Sequence, residues 1–305
     1  MRSNSLKVSE KILEIQRKVD RPPKEQPMKN DWFIHTNDTD KQLFVSRPKP
    51  NPSGAFSPCN MSPDDVDYEM SFGKSKKILE ICGMEQKSFE YFVEKYGAEY
   101  EYLSFFKCQL ISDFSPLEDL GHLKGVSIYW NIRNSTLWDM SKNPKLEYLW
   151  LESTKKIAYD PLALHRAKTL KGIFFRGDMD TPYPMKSLEW MRGMESLEEV
   201  ILYNIKLEDR NTDVLESVPT LTRFDFPAGM FTTEEIAYMC AKYPHIQGSS
   251  LCAYNTVDAI WSDVRVCGYR KPGLDLPKGQ ARLDKYVREF DALVEKYKAE
   301  LENPS

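Results

Sequence analysis

The chain has 305 residues and a formal net charge of −4, and its charged residues, 29% of the total, mix both signs along the sequence. A nucleic-acid-binding surface normally needs a basic stripe, so this distribution argues against nucleic acid as a partner. Residues 1–7 contain no apolar signal segment and no stretch reaches 18 consecutive apolar residues, so we expect a cytoplasmic protein with no membrane partner.

Residues 1–71 are predicted to form a proline-rich N-terminal segment that is partly disordered. Eight of the 19 prolines lie between Pro22 and Pro63, a density typical of linkers and loosely attached chain. Two apolar runs inside this segment, 32–34 and 43–45, flank a polar stretch and favour a β-hairpin over 32–45. A disordered tail with an apolar patch is the alternative interpretation.

From residue 72 to residue 275 the chain repeats one short apolar pattern. Its clearest copy is Leu146-Glu147-Tyr148-Leu149-Trp150-Leu151-Glu152, with apolar residues at the first, fourth and sixth places. Further copies begin at residues 100, 123, 170, 197, 221 and 246, so the copies follow each other at intervals of 23–27 residues. Because side chains alternate across a strand, the fourth and sixth residues share one face. A repeat of this length and pattern indicates a solenoid, in which stacked units share one core.

The pattern resembles that of the leucine-rich-repeat family. The resemblance implies an α/β fold: a right-handed solenoid with a parallel sheet on its concave side and helices on its convex side. In that family an Asn or Cys three residues past the last strand anchor bonds the turn backbone along the stack, and Cys108 and Asn131 occupy this position here. Two looser copies extend the predicted series of strands at its ends, namely Lys76/Leu79/Ile81 and Trp261/Val264/Val266.

Residues 276–305 are predicted to form a C-terminal capping helix. Apolar residues from Leu283 to Leu301 recur at helical spacing. A solenoid needs a terminal unit with a polar outer face, because its last repeat otherwise exposes the core. A helix that docks a partner is the alternative.

The residues at the third, fifth and seventh places of each copy should face away from the core, and the resemblance places them on the concave sheet. Aromatic residues and Arg are frequent there, and Tyr, Trp and Arg dominate binding hot spots. We therefore expect a water-facing binding surface made of Tyr102, Phe106, Tyr129, Tyr148, Trp150, Glu152, Phe174, Arg176 and Tyr203. Two alternatives stay open: the N-terminal segment covers this surface, or the register is off by one residue and the two faces are exchanged.

This surface predicts a non-enzymatic, monomeric module that binds a protein or peptide. An inhibitor or immunity-type protein that blocks one cognate enzyme would have the same sequence features. An enzyme that uses Cys240 or another thiol is a third interpretation, which requires a thiolate of lowered pKa in a cleft. The four histidines and six cysteines show no metal-ligand spacing, so we expect no metal and no cofactor. Four of the cysteines lie on or beside proposed strands, where we expect buried, reduced thiols.

Overall fold

A computed structural model describes residues 41–45, 61–72, 78–178, 181–259 and 262–303. The five α-helices in these ranges are α1 (Pro63–Phe72), α2 (Gln86–Tyr96), α3 (Lys155–Tyr159), α4 (Thr233–Lys242) and α5 (Gln280–Glu302). The strands are β1 (Lys41–Val45), β2 (Ile78–Cys82), β3 (Tyr102–Phe106), β4 (Gly125–Tyr129), β5 (Tyr148–Glu152), β6 (Gly172–Arg176), β7 (Tyr183–Met185), β8 (Glu199–Tyr203), β9 (Ile205–Leu207), β10 (Arg223–Asp225), β11 (Tyr254–Ala259), β12 (Ser262–Val266) and β13 (Gly273–Leu274).

The centre of the fold is a parallel sheet whose strands follow one another in chain order. Seven strands, β2, β3, β4, β5, β6, β8 and β10, lie side by side, and β1 pairs with β2 at the edge. Every pair in this sheet is parallel. The predicted mixed α/β fold with a parallel sheet and a C-terminal helix is therefore confirmed.

The strand register is the one that the repeating pattern predicts. Leu149 of β5 pairs with Val126 of β4 and with Ile173 of β6, so fourth-place residues lie opposite each other on neighbouring strands. Fourth- and sixth-place side chains are buried in one continuous apolar core. We call the side of the sheet that carries them the first face, and the side that carries places three, five and seven the second face.

The segments that return from one strand to the next are mostly single 3-10 turns rather than α-helices. The 3-10 helices cover Gly97–Glu99, Ser115–Asp119, Met140–Lys142, Leu162–Arg166, Glu189–Met191 and Asp213–Ser217. Each of the later five buries an apolar residue against the first face, for example Leu117, Leu164 and Leu215. One tight turn is enough to present that residue to the first face.

The turn that follows each strand is also repeated. The residue directly after the strand has a positive φ at Gly83, Lys107, Trp130, Ser153 and Asn204. The N–H groups of Lys107, Trp130 and Ser153 each donate to the carbonyl of the last residue of the next strand, at 2.9 Å. Asn131 is buried and its amide donates to the backbone carbonyls of Cys108 and Ile111, at 2.9 and 2.8 Å. The predicted role of Asn131 in bonding the turns is confirmed.

The C-terminal part departs from the predicted series of strands. The copy that begins at Ile246 contributes a single bridge between Arg223 and Gln247 instead of a strand. The expected further parallel strand at 261–266 is wrong, since β12 pairs antiparallel with β11 and β13 in a separate sheet. Residue 261 lies outside the described residues. A hairpin forms because β11 and β12 are too close in sequence for a crossover connection.

Helix α5 lies where the C-terminal helix is predicted. It buries Leu283 and Phe290, and the ring of Tyr297 contacts that of Tyr238 of α4 with centroids 5.5 Å apart. Leu283 also packs with Val264 of β12. These contacts fix α5 at the C-terminal end of the described chain, and its capping role stays a prediction.

The N-terminal segment is described in part. The predicted hairpin strand at 32–34 lies outside the described residues, and residues 43–45 lie in β1, which pairs in parallel with β2. Within 61–72, Met61 and the α1 residue Val66 are completely buried. Residues just before the predicted boundary at 72 thus already contribute to the core.

Candidate binding surface

All nine residues predicted to bind a partner lie on strands β3 to β8. The register brings Tyr129 between Phe106 and Glu152 on neighbouring strands, and Trp150 between Ser127 and Phe174. These are the lateral neighbours that the sequence pattern predicts. The second face therefore carries these side chains in three rows across the sheet, and the row from Phe106 to Tyr203 is aromatic or charged on every strand.

The centre of the second face is buried, so the expectation that it faces water is wrong. Trp150, Phe174 and Tyr148 are 4%, 5% and 6% exposed. The rings of Trp150 and Phe174 stack with centroids 3.5 Å apart and an interplanar angle of 17°. Together with Ile201, and with Tyr102 packed against them, these residues form a second apolar cluster, which we call the second-face cluster. The burial of this cluster raises the pKa of Tyr148 to about 12.

Exposed apolar groups lie instead at the carboxyl ends of the strands. Tyr203, the last residue of β8, is 50% exposed, and Trp130 and Ile132, which follow β4, are 41% and 57% exposed. Phe106 and Tyr129 are half-buried beside them, with ring centroids 4.9 Å apart. We call this surface the carboxyl-end rim; it consists of Phe106, Lys107, Tyr129, Trp130, Ile132, Arg176 and Tyr203.

Sequence reasoning includes Phe106, Tyr129 and Tyr203 in the site but misses Trp130 and Ile132. Both follow the strand and so stand outside the seven-residue pattern. Trp130 has φ 60, a conformation in which Gly and Asn are favoured and a bulky ring is unusual. The sequence does contain a signal for Trp130: this Trp occupies the position at which Gly83 and Asn204 stand in other copies.

Two cations lie on the rings of the rim. Lys107 Nζ is 4.7 Å from the centroid of the Trp130 ring, and Arg176 Cζ is 4.9 Å from the centroid of the Tyr203 ring. Arg176 also forms an ion pair of 3.4 Å with Glu152, whose carboxylate accepts a hydrogen bond of 3.2 Å from the indole N–H of Trp150. Glu152 thus joins the buried cluster to the rim and orients the guanidinium beside Tyr203.

The amino ends of the strands carry a different pattern, in which charge alternates from strand to strand. The second-place residues are Glu101, Lys124, Glu147, Lys171 and Glu198. Lys124 pairs with Glu101 at 2.8 Å and Lys171 pairs with Glu147 at 2.7 Å, and the first pairing raises the pKa of Lys124. A surface groove of about 540 Å³ lies here. Because Lys124 and Lys171 pair with glutamates of neighbouring strands, we assign this edge to stabilisation of the sheet.

In the ranges that the structure describes, the groups that a catalytic or metal site would use have the following surroundings. No group of three or more His, Cys, Asp or Glu side chains comes together there as a metal would require. The ring nitrogens of His122 and His165 lie 2.8 and 3.1 Å from the backbone carbonyls of Tyr100 and Arg192. Burial raises the pKa of the Cys240 thiol to about 12, the opposite of what a nucleophilic thiol needs.

Comparison with known proteins adds no relative. No family model matches the chain, and no curated protein matches it either. Of the helices in the described ranges, none has the length and apolar character needed to cross a bilayer.

Proposed function

We propose that the protein is a non-enzymatic binding module of the leucine-rich-repeat type, and that its carboxyl-end rim holds an extended segment of another protein. The observation that carries this proposal is the exposure of Trp130, Ile132 and Tyr203 beside half-buried rings and two cations. A right-handed solenoid, with the second face concave, is the architecture that we propose for the parallel sheet and its short returns. The chain-order strand pairing, the intervals of 23–27 residues and the buried Asn131 support it.

The dimensions of the rim suit a peptide. Trp130 follows β4 and Tyr203 ends β8, which are three strand positions apart in the sheet. Neighbouring strands are about 4.8 Å apart, so the two rings lie roughly 14 Å from each other along the sheet. About five residues of extended chain cover that distance at roughly 3.3 Å per residue. Two anchor side chains of one short segment can therefore reach both rings.

The side chains of the rim determine which kind of peptide segment can bind there. Exposed Trp and Tyr rings supply large contact area, and residues of these types dominate the energetics of protein interfaces. Arg176 lies against the Tyr203 ring but pairs with Glu152, whereas Arg133 next to Ile132 is exposed and places positive charge at the surface of the rim. We therefore expect a ligand with an aromatic or large aliphatic anchor next to Asp or Glu.

The second-face cluster has a supporting role in this proposal. Trp150 and Phe174 stack beneath the rim and hold Glu152, which in turn orients Arg176. In this proposal Phe106, Tyr129, Arg176 and Tyr203 contact the ligand, whereas Tyr102, Tyr148, Trp150, Glu152 and Phe174 support them. An inhibitor or immunity-type protein would use the same rim for one cognate enzyme. An enzyme that uses Cys240 is disfavoured by the raised pKa of that thiol.

Selection from a library of random displayed peptides tests the proposal. We expect wild-type protein to enrich peptides with an aromatic or large aliphatic residue beside an acidic one. The double variant Trp130→Ser/Tyr203→Ser should bind these peptides at least about 30-fold more weakly, since a hot-spot residue contributes about 2 kcal/mol or more. Leu162→Ser is the matched control, because Leu162 is 47% exposed and lies in a return segment. Equal binding by the double variant and the control would overturn the assignment of the rim.

A competition experiment identifies the occupant. A synthetic peptide of residues 1–40 is added to wild-type protein bound to a selected peptide. We expect no displacement, which supports a separate protein as the ligand. Displacement that is lost in Trp130→Ser/Tyr203→Ser would show instead that the chain's own N-terminal segment occupies the rim.

A further inference from the structure

Two cysteines that are distant in sequence meet in the C-terminal part of the fold. Cys252 lies in the turn before β11 and Cys267 directly follows β12, and their sulphur atoms are 3.9 Å apart. The antiparallel pairing causes this, since Tyr254 pairs with Val266 and the N–H of Cys267 donates to the carbonyl of Ala253 at 2.9 Å. The backbone thus holds the two thiols side by side.

The two thiols differ in access and in chemistry. Cys267 is completely buried, whereas Cys252 is partly exposed. A hydrogen bond joins the two sulphurs, and it lowers the pKa of Cys252 and raises that of Cys267. Because Cys252 is partly exposed, it is the sulphur that a dissolved reagent meets first, and Cys267 is the thiol placed behind it.

A disulfide between them needs only a small movement. An S–S bond is about 2.05 Å long, so the sulphur atoms must approach by roughly 1.8 Å. The backbone pairing of β11 with β12 already keeps the two segments of chain adjacent. Cys240 is the third thiol of this region, and burial keeps its pKa at about 12. It therefore stays protonated and does not compete for an oxidant.

We propose that Cys252 and Cys267 are a peroxide-reactive pair that closes to an intramolecular disulfide. The Cys252 thiolate attacks one oxygen of a hydroperoxide, so that an S–O bond forms, the O–O bond breaks and an alcohol or water leaves after protonation. Cys267, giving up its proton, then attacks the sulphur of Cys252, so that the S–S bond forms, the S–O bond breaks and water leaves. The two thiols are oxidised and the hydroperoxide is reduced.

The bond would fasten the antiparallel sheet to the end of the parallel sheet. Cys252 follows the single bridge at Gln247, and Cys267 ends the strand whose Val264 and Val266 pack with Leu283 of α5. The disulfide closes a loop between residues 15 apart in sequence, which restricts the unfolded chain. Oxidation should therefore stabilise the C-terminal region while leaving the rim unchanged.

Treatment of the full chain with hydrogen peroxide tests the pair. We expect non-reducing peptide mapping to show a 252–267 link first among all cysteine pairs, and the thermal midpoint to rise by several degrees. Added dithiothreitol should reverse both changes. In Cys267→Ser, which keeps a hydrogen-bond donor beside Cys252, the sulfenic acid of Cys252 should persist and be trapped by dimedone, whereas Cys240→Ala should form the link as wild type does. Equal oxidation of Cys82, Cys108 and Cys252, or dimedone labelling of Cys252 in wild type without any link, would overturn the proposal.

Discussion

The two faces of the parallel sheet differ in how regularly their residues repeat from strand to strand. On the first face, each strand repeats the same arrangement: Leu149 and Leu151, like their counterparts on other strands, are buried under the return segments. The second face changes from strand to strand, from Ser104 through Trp150 to Asp225. Every repeat must close the same core, so packing forces the first face to be periodic. The second face has no such constraint, so its residues vary from strand to strand. We expect the specific function of this protein to depend on them.

The first way to test this comparison is to remove one large side chain from each face. Trp150→Ala should destabilise the protein by about 3–5 kcal/mol and Leu149→Ala by about 2–5 kcal/mol, because both leave a cavity in a packed cluster. Urea unfolding of both variants measures the two losses. A loss below about 1 kcal/mol for Trp150→Ala would contradict burial of the second face, since exposed side chains contribute little.

The charged end of the second face allows a second, smaller test. Asp225 is 1% exposed, pairs with Arg223 at 2.6 Å and accepts a hydrogen bond from the N–H of Ser249. Asp225→Ala should cost about 2–3 kcal/mol, because Arg223 and the Ser249 N–H lose their partner in a buried place. The matched control is Glu189→Ala, which breaks an exposed pair with Arg192 and should cost less than about 1 kcal/mol. Equal losses in the two variants would mean that this end of the second face is solvated.

The smallest effect is expected from the pH dependence of the second-face cluster. The pKa of Tyr148 is about 12 in the folded protein and about 10 in the unfolded chain, so above pH 10 the folded state binds more protons. Its contribution to stability is therefore complete below pH 10 and is lost as the pH rises toward 12. Between pH 9 and pH 11.5 the free energy of unfolding, measured in urea, should fall less in Tyr148→Phe than in wild type. Below pH 9 the free energy of unfolding should change with pH equally in both. Identical slopes in the alkaline range would contradict the burial of this hydroxyl.

The sequence predicts the sheet well because strand periodicity records the packing of the first face. Leu149 and its counterparts determine the register, and Asn131 identifies the repeated turn. Exposure of the second face could not be predicted in the same way. Alternation tells in which direction Trp150 points, but not that Phe174 on the next strand stacks against it.

The sequence pattern does not predict features that depend on chain reversal or on turns. Cys252 and Cys267 have no recognisable spacing, and only the antiparallel pairing of β11 with β12 brings them together. Trp130 and Ile132 follow a strand, where the pattern has already ended. The antiparallel sheet itself was missed because Val264 and Val266 alternate just as a further parallel strand would.

Amide hydrogen exchange of the full chain, with and without a saturating peptide from the displayed library, tests the role of the rim most directly. We expect the peptide to slow exchange in the turns after β4 and β8, at residues 130–133 and 203–205. The return segment Leu162–Arg166 should exchange at the same rate with and without peptide. Protection that falls on the return segments, with none at the turns after β4 and β8, would contradict the account.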